Sequence, residues 1–316
     1  MSSLLNPVIG HSIVAAATFF LIPTLGEIYA ERSGILNLGI EGMIVSSAAG
    51  SYAVAYMTGE ILLGILFGML LGAAMSCIHA VISITFNRNQ IVSGIGLTIF
   101  GTGLSGFLGK SVVGKALKGL PDLPIPLLSD LPFIGRVLFQ HNILVYLSFA
   151  LVPILWFVLY KTRVGIIIRT TGENPAAAKN QGFNVTLIRY LCVMFGGLTA
   201  GLAGAYLSLG WLNFWSEGMT QSRGWIVIAL VVVALWNPLG AILGSYVFGF
   251  FDVVQYSFQQ TRIPFLFPGG IPTAMLKMLP PVTTILFLAI WALILSQQKI
   301  KSTIGAPTSL AVPFED

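Results

Sequence analysis

The stretch Lys161–Arg189, KTRVGIIIRTTGENPAAAKNQGFNVTLIR, holds Lys161, Arg163, Arg169, Glu173, Lys179 and Arg189. Charged residues are only 9% of the 316, so this is a polar island. Apolar runs flank it, Ile143–Tyr160 before and Leu191–Leu209 after. Each is close to the roughly 20 residues a helix needs to cross hydrocarbon. Within the island, Glu173-Asn174-Pro175 reads as a turn into a short helix. The residue before a proline avoids the helical region, and proline suits a first helical turn. Ala176, Ala177 and Ala178 are strong helix formers, and Gly182 can end the helix in a left-handed cap. Such a helix between two spans is either an ordinary loop or a handle for a soluble partner.

Composition sets the class. Hydrophobic residues are 56% of the chain and mean hydropathy is +0.89. Soluble domains carry about a quarter charged residues. The chain therefore reads as an all-α polytopic membrane protein, one transmembrane domain over 1–316. The start lacks the basic and small-residue pattern of a signal peptide. Cys77 and Cys192 fall inside apolar runs, which suits inert thiols rather than a disulfide or metal site. The net charge of +5 comes without aromatic-interleaved basic patches, so no nucleic-acid partner is expected; membrane lipid is.

Taken in order, the expected spans are Val8–Tyr29, Gly39–Met57, Ile61–Phe86, Ile91–Leu108, Asn142–Tyr160 and Leu187–Leu209. Gly224–Tyr256 is too long for one span and splits at Asn237-Pro238, into two spans or two half-helices. Val282–Ser296 ends the core. The total is roughly nine spans. Ala30–Leu38 is a polar hairpin. Residues 109–141 form the longest external segment, broken by Pro121, Pro124, Pro126 and Pro132. Ser257–Pro281 is a loop. Gly64, Gly68 and Gly72, and again Gly197 and Gly201, place small residues on one face for close helix packing. Lys and Arg bias puts the N-terminus outside and the C-terminus in the cytoplasm, with Arg223 in an outward loop.

Several patterns that look chemical are rejected. Gly101-Thr-Gly103-Leu-Ser-Gly106 matches a dinucleotide fingerprint, but no strand precedes it and packing glycines explain it. Gly109-Lys110-Ser111 lacks the earlier glycine of a phosphate loop, since position 104 is Leu104. His11, His79 and His141 stand singly, without metal-ligand spacing. No catalytic residue, cofactor site or metal site is expected.

Four blocks carry a family resemblance: GEIYAERSGILNLGIEGM at Gly26–Met43, NQIVSGIGL at Asn89–Leu97, GENPAAAKNQGFNV with LTAGLAGAYLSLG after it, and WNPLGAILGS at Trp236–Ser245. In this order they resemble the permease subunits of bacterial ABC importers, in the branch serving ribose, other simple sugars and nucleosides, with details nearer to nucleoside permeases. The resemblance implies a multi-pass protein of the bacterial inner membrane, a second permease subunit of the same or a related chain, a cytoplasmic ABC ATPase and an external substrate-binding protein. It makes 161–189 a coupling loop, with Glu173, Asn174, Pro175, Ala176, Ala177 and Lys179 contacting the ATPase.

For the substrate path, Asn37, Glu41, Asn89, Gln90 and Asn237 are the candidates. Asn89 and Gln90 sit at a helix start, where capping is the stronger reading than a path role. Glu27, Glu31 and Arg32 read as a structural cluster with Arg32 paired to a glutamate, or as path lining. Trp236-Asn237-Pro238 is a turn or a helix break facing the path. A secondary transporter driven by an ion gradient is the alternative, with Asp252 and Glu41 as its obvious acids. A membrane enzyme lacks any catalytic set.

Overall fold

The computed structural model describes residues 7–258, 305–314 and parts of 272–293. Ser257–Pro281 and Val282–Ser296, expected as a loop and a last span, fall largely outside them. The described chain is helical apart from one short hairpin, β1 (Asp122–Pro124) against β2 (Gln140–Asn142). The all-α, polytopic reading holds.

Helix α1 (Pro7–Arg32) is the central post. Every residue from Val14 to Arg32 is buried, including the polar Thr18, Thr24, Glu27 and Glu31. Pro23 sits inside α1 without ending it, and the Thr24 hydroxyl donates back to Phe20 O at 2.7 Å. Against α1 pack α9 (Val185–Ala205), α10 (Arg223–Val233) and α11 (Pro238–Phe258), while α2 (Ile40–Thr58) packs against α9. On the periphery lie α3 (Ile61–Ala80), α4 (Gln90–Gly109) and α6 (Ile143–Lys161). Their outer faces show Leu62, Leu66 and Leu70 on α3, Val92, Ile99 and Phe107 on α4, and Ile154 and Phe157 on α6. Continuous apolar faces of this kind fit contact with lipid.

Among the described residues six helices are long and apolar enough to cross a membrane, against roughly nine expected spans. The difference lies partly in α10. Its 11 residues reach only about 16 Å, half of the hydrocarbon thickness. The 224–256 stretch is thus a half-helix followed by a longer helix, broken at 234–237, where Leu235 and Trp236 take left-handed φ values of 54° and 53°. The expected break at Asn237-Pro238 is present.

The two glycine stripes meet each other. A Cβ at Gly72 would lie 2.2 Å from Gly197 O, and one at Gly201 would lie 2.2 Å from Gly68 O. Only glycine allows α3 and α9 this approach. Gly101 of the rejected fingerprint packs against Gly42, where an added Cβ would meet its carbonyl at 2.4 Å. Residues 109–142 carry a 3-10 turn (Lys110–Val112), β1, the short α5 (Ile134–Leu138) and β2, broken as the prolines suggest. His11 and His141, separate in sequence, stack there with ring centroids 4.0 Å apart.

Candidate functional site

The polar island folds as two helices. Residues 163–173 form α7 (Arg163–Glu173), which sequence reading took as loop. Thr162 caps it, accepting from Gly165 N at 3.3 Å. It buries Gly165, Ile168 and Thr171 and exposes the charged Arg163 and Glu173 together with Val164 and Ile166. The expected short helix follows as α8 (Pro175–Asn180). Asn174 Oδ1 accepts from Ala177 N at 2.9 Å, and Pro175 fills the first turn. At the other end Phe183 N donates to Ala178 O and Gly182 N to Lys179 O, with Gly182 at φ 85°. That is the paired-bond ending that glycine favours. Glu173, Asn174, Ala176 and Lys179 are exposed, Ala177 is half-buried, and Pro175 and Ala178 face the protein. The candidate coupling residues thus run from the end of α7 through the cap into the short, doubly capped α8, all but Pro175 at least partly exposed.

The expected hairpin Ala30–Leu38 is not a surface loop: all of 30–41 is buried except Leu36 and Leu38, which are half-buried. It threads into the bundle along α4. Leu36 N donates to Gln90 Oε1 at 2.8 Å, at the start of α4. Added Cβ atoms at Gly94 and Gly42 would strike Leu38 and Leu97 respectively. The hairpin therefore rises past about two turns of α4, or roughly 10 Å, before α2 begins. An interior backbone of this kind is tolerated in membranes only where its polar groups are satisfied. Asn37 helps, donating from its backbone to Glu27 Oε1 at 3.1 Å and accepting from Gly39 N at 3.0 Å.

Glu41, at the top of this rise, reaches α10. Its Oε1 accepts from Thr220 Oγ1 and its Oε2 from Gly224 N, both at 2.6 Å. The α10 N-cap, Ser222, supplies no side-chain bond of its own. Glu41 is thus a carboxylate cap lent by another helix, placed where the positive end of the dipole favours it. Arg32 does the reverse at the break beyond the other end of α10. Its Nε donates to Trp236 O at 3.1 Å and its Nη2 to Leu235 O at 3.2 Å. The expected pairing of Arg32 with a glutamate is replaced by these carbonyl contacts; Glu31 instead accepts from Trp236 Nε1. The half-helix is held by an anion at its start and a cation just past its end.

The five path candidates are not gathered at one place. Asn37 and Gln90 brace the hairpin, and Glu41 caps α10. Asn89 is exposed and caps α4, accepting from Ile91 N and Val92 N. Asn237 accepts from Leu239 N at 3.0 Å at the start of α11. None of them lines the cavities beside Arg223, His79 or Phe149.

Two features escaped the sequence reading. Residues 305–314 are strapped across the C-terminal end of α7, just before α8. Ser309 N donates to Gly172 O at 3.0 Å, Thr308 Oγ1 to Glu173 Oε2 at 2.8 Å, and Ala311 N to Gly34 O at 3.2 Å. Arg32 Nη1 and Arg189 Nη2 reach Gly305 O and Ser309 Oγ. One strap so joins the end of α7, the buried hairpin and the arginine at the helix break. The second feature is an ion pair. Arg223, expected in an outward loop, is buried on α10, its Nε and Nη2 donating to the two Asp252 oxygens at 3.0 and 3.1 Å. Both residues line two cavities of about 660 and 620 Å³. The available signal was two charges in apolar segments, which membrane proteins pair.

A helical membrane bundle with a broken, clamped helix and a short capped helix on its surface has the form of a transport subunit. The chain belongs to the family described as the branched-chain amino acid transport system permease component, whose profile matches residues 11–295. It is an ABC transporter permease by that membership. It is 41% identical over 257 residues to a Haloferax volcanii protein provisionally named a glucose ABC transporter permease, covering 80% of this chain and 78% of that one. Identity to the guanosine ABC transporter permease protein NupQ of Bacillus subtilis is 35% over 301 residues, covering 90% and 92%. To the nucleoside ABC transporter permease protein NupC of Lactococcus lactis it is 32% over 297 residues, again covering 90% and 92%.

Proposed function

We propose that this chain is the single-domain membrane subunit of an ATP-driven importer that carries nucleosides across the bacterial inner membrane. The observation that carries the reading is the exposed α8, doubly capped between two spans and directly following the end of α7 that 305–314 ties to the clamped helix break. Partner ATPases on the cytoplasmic face seat against Glu173, Asn174, Pro175, Ala176, Ala177 and Lys179. Their ATP-driven closure displaces α8, and the strap and Arg32 pass the displacement to the α10–α11 break. A second permease subunit completes the path, and an external binding protein delivers the substrate. The N-terminus faces outside and α8 and 305–314 face the cytoplasm.

Nucleosides are favoured over free sugars on two grounds. Two relatives aligned over 90% of this chain are named for guanosine or nucleosides. A nucleoside also suits a mostly apolar path with few polar groups, whereas a sugar presents hydroxyls on every edge. The ion-gradient alternative loses its acids: both oxygens of Asp252 are taken by Arg223, and both of Glu41 by Thr220 and Gly224. Uptake of labelled guanosine, adenosine and ribose by cells with and without the gene tests the reading. Loss of nucleoside uptake on deletion supports it; loss of ribose uptake alone overturns the substrate.

A further inference from the structure

The five path candidates lie apart from the cavity of about 660 Å³ beside α10 and α11. Its walls include Trp225, Ile226, Ala229 and Ile285, and its polar groups are Arg223, Asp252 and Gln255. The volume lies inside the roughly 300–1,000 Å³ range of small-molecule sites, and so does the pattern of apolar walls with a few convergent polar groups.

The polar groups are arranged for an uncharged ligand. Arg223 and Asp252 neutralise one another in a two-point pair. The third guanidinium nitrogen, Nη1, donates to Met219 O at 3.4 Å, and the ring of Trp211 covers the cation, 5.6 Å from ring centroid to Cζ. A phosphate would have to break this pair to reach the charge, at the cost of a buried unpaired carboxylate. Gln255 is different. Its Nε2 donates to Asp252 Oδ1 at 3.1 Å, which fixes the amide orientation, since the oxygen cannot face a carboxylate. That leaves Oε1 as a buried acceptor with no partner among the described residues, on a side chain that is 4% exposed. Buried acceptors are seldom left so, and an unfilled one marks a place for a donor. Trp225 is 38% exposed and lines the same cavity, a flat face on which a base can stack. Trp225 also follows Gly224, the residue fixed by Glu41, so the clamp on α10 sets the position of the ring.

We propose that this α10–α11 cavity is the nucleoside-holding site of the membrane path, with Trp225 stacking the base and a small turn of the Gln255 amide presenting Oε1 to an N–H donor on the base edge. The inference rests on the nucleoside reading above. A nucleoside enters; a nucleotide, carrying its phosphate against a satisfied ion pair, is turned away.

The test uses the full chain assembled with its ATPase in lipid vesicles. ATP-dependent adenosine uptake is measured first, then photolabelling by 8-azidoadenosine with mapping of the modified peptide. The expected label lies on 221–229 or 252–255, is displaced by adenosine and is not displaced by adenosine monophosphate. Gln255→Leu raises the half-labelling concentration about three- to tenfold, as for one neutral hydrogen bond. Trp225→Ala raises it about tenfold or more, as for a lost base stack. Gln255→Met serves if the leucine variant does not assemble. Should uptake of adenosine proceed while the label maps elsewhere, or while both variants label as the parent does, the site is wrong and the importer reading stands. Absence of nucleoside uptake in the parent complex removes the nucleoside reading and this site with it.

Discussion

Replacing Glu41 by glutamine tests the clamp on α10 with almost no change of shape. The carboxylate accepts two bonds at 2.6 Å, from Thr220 Oγ1 and Gly224 N. An amide has one acceptor oxygen, so one of these donors then faces an NH2 group. A hydrogen bond to a charged acceptor contributes about 1.5–3 kcal/mol, and a carboxylate at a partly buried helix start adds up to about 2 kcal/mol. Relief from burying a charge offsets part of this. The net loss expected is about 2–4 kcal/mol, a large share of a stability on the order of 5–15 kcal/mol. Because α10 is a half-helix, the loss should appear first as local fraying. The assay is thermal unfolding in mild detergent, with hydrogen exchange followed at residues 224–230. The expected result is a lowered midpoint with exchange accelerated there and not in α3 or α9. An unchanged midpoint and unchanged exchange would show that Glu41 does not hold α10.

Gly72→Val drives a side chain into the Gly197 carbonyl, which a Cβ alone would approach to 2.2 Å. A loss of at least about 1–3 kcal/mol is expected, read as a lower unfolding midpoint, while Gly103→Val, where a Cβ meets nothing within 4 Å, should leave it unchanged. Burial pushes the His141 imidazole down to about 4, with the neighbouring His11 adding to the effect. The unfolded chain then binds the extra proton, so stability present above pH 6.5 is lost as the pH falls toward 4; His141→Asn should flatten that part of the stability–pH curve. Ala176→Arg changes an exposed residue on α8, so folding and assembly with lipid should persist while substrate-stimulated ATP hydrolysis falls several-fold. Normal stimulation in that variant would remove α8 as the contact.

Local chemistry made much of this readable. Asn174-Pro175 and Gly182 delimit α8 because caps act within a few residues. Pro238 after Asn237 marks the start of α11, and four-residue glycine spacing anticipates the α3–α9 contact. The hairpin was harder, since Ala30–Leu38 is polar in composition yet buried, satisfied by Gln90 and Glu27 from elsewhere. Helix α7 hid behind its charged ends, Arg163 and Glu173. Long-range pairings were out of reach: Arg223 and Asp252 are 29 residues apart, and Thr308 and Glu173 are 135 apart. The path candidates Asn89 and Asn237 carried a double signal, because an asparagine before a helix caps it whether or not a substrate passes.

The central claim is that ATP hydrolysis by a partner, transmitted through α8, drives nucleoside import. The most direct measurement is guanosine accumulation in vesicles containing the assembled complex, with ATP supplied only on the side that α8 faces. The account predicts uptake that requires ATP on that side and persists when ion gradients are collapsed. Uptake that proceeds without ATP and stops when the gradients are collapsed would contradict it.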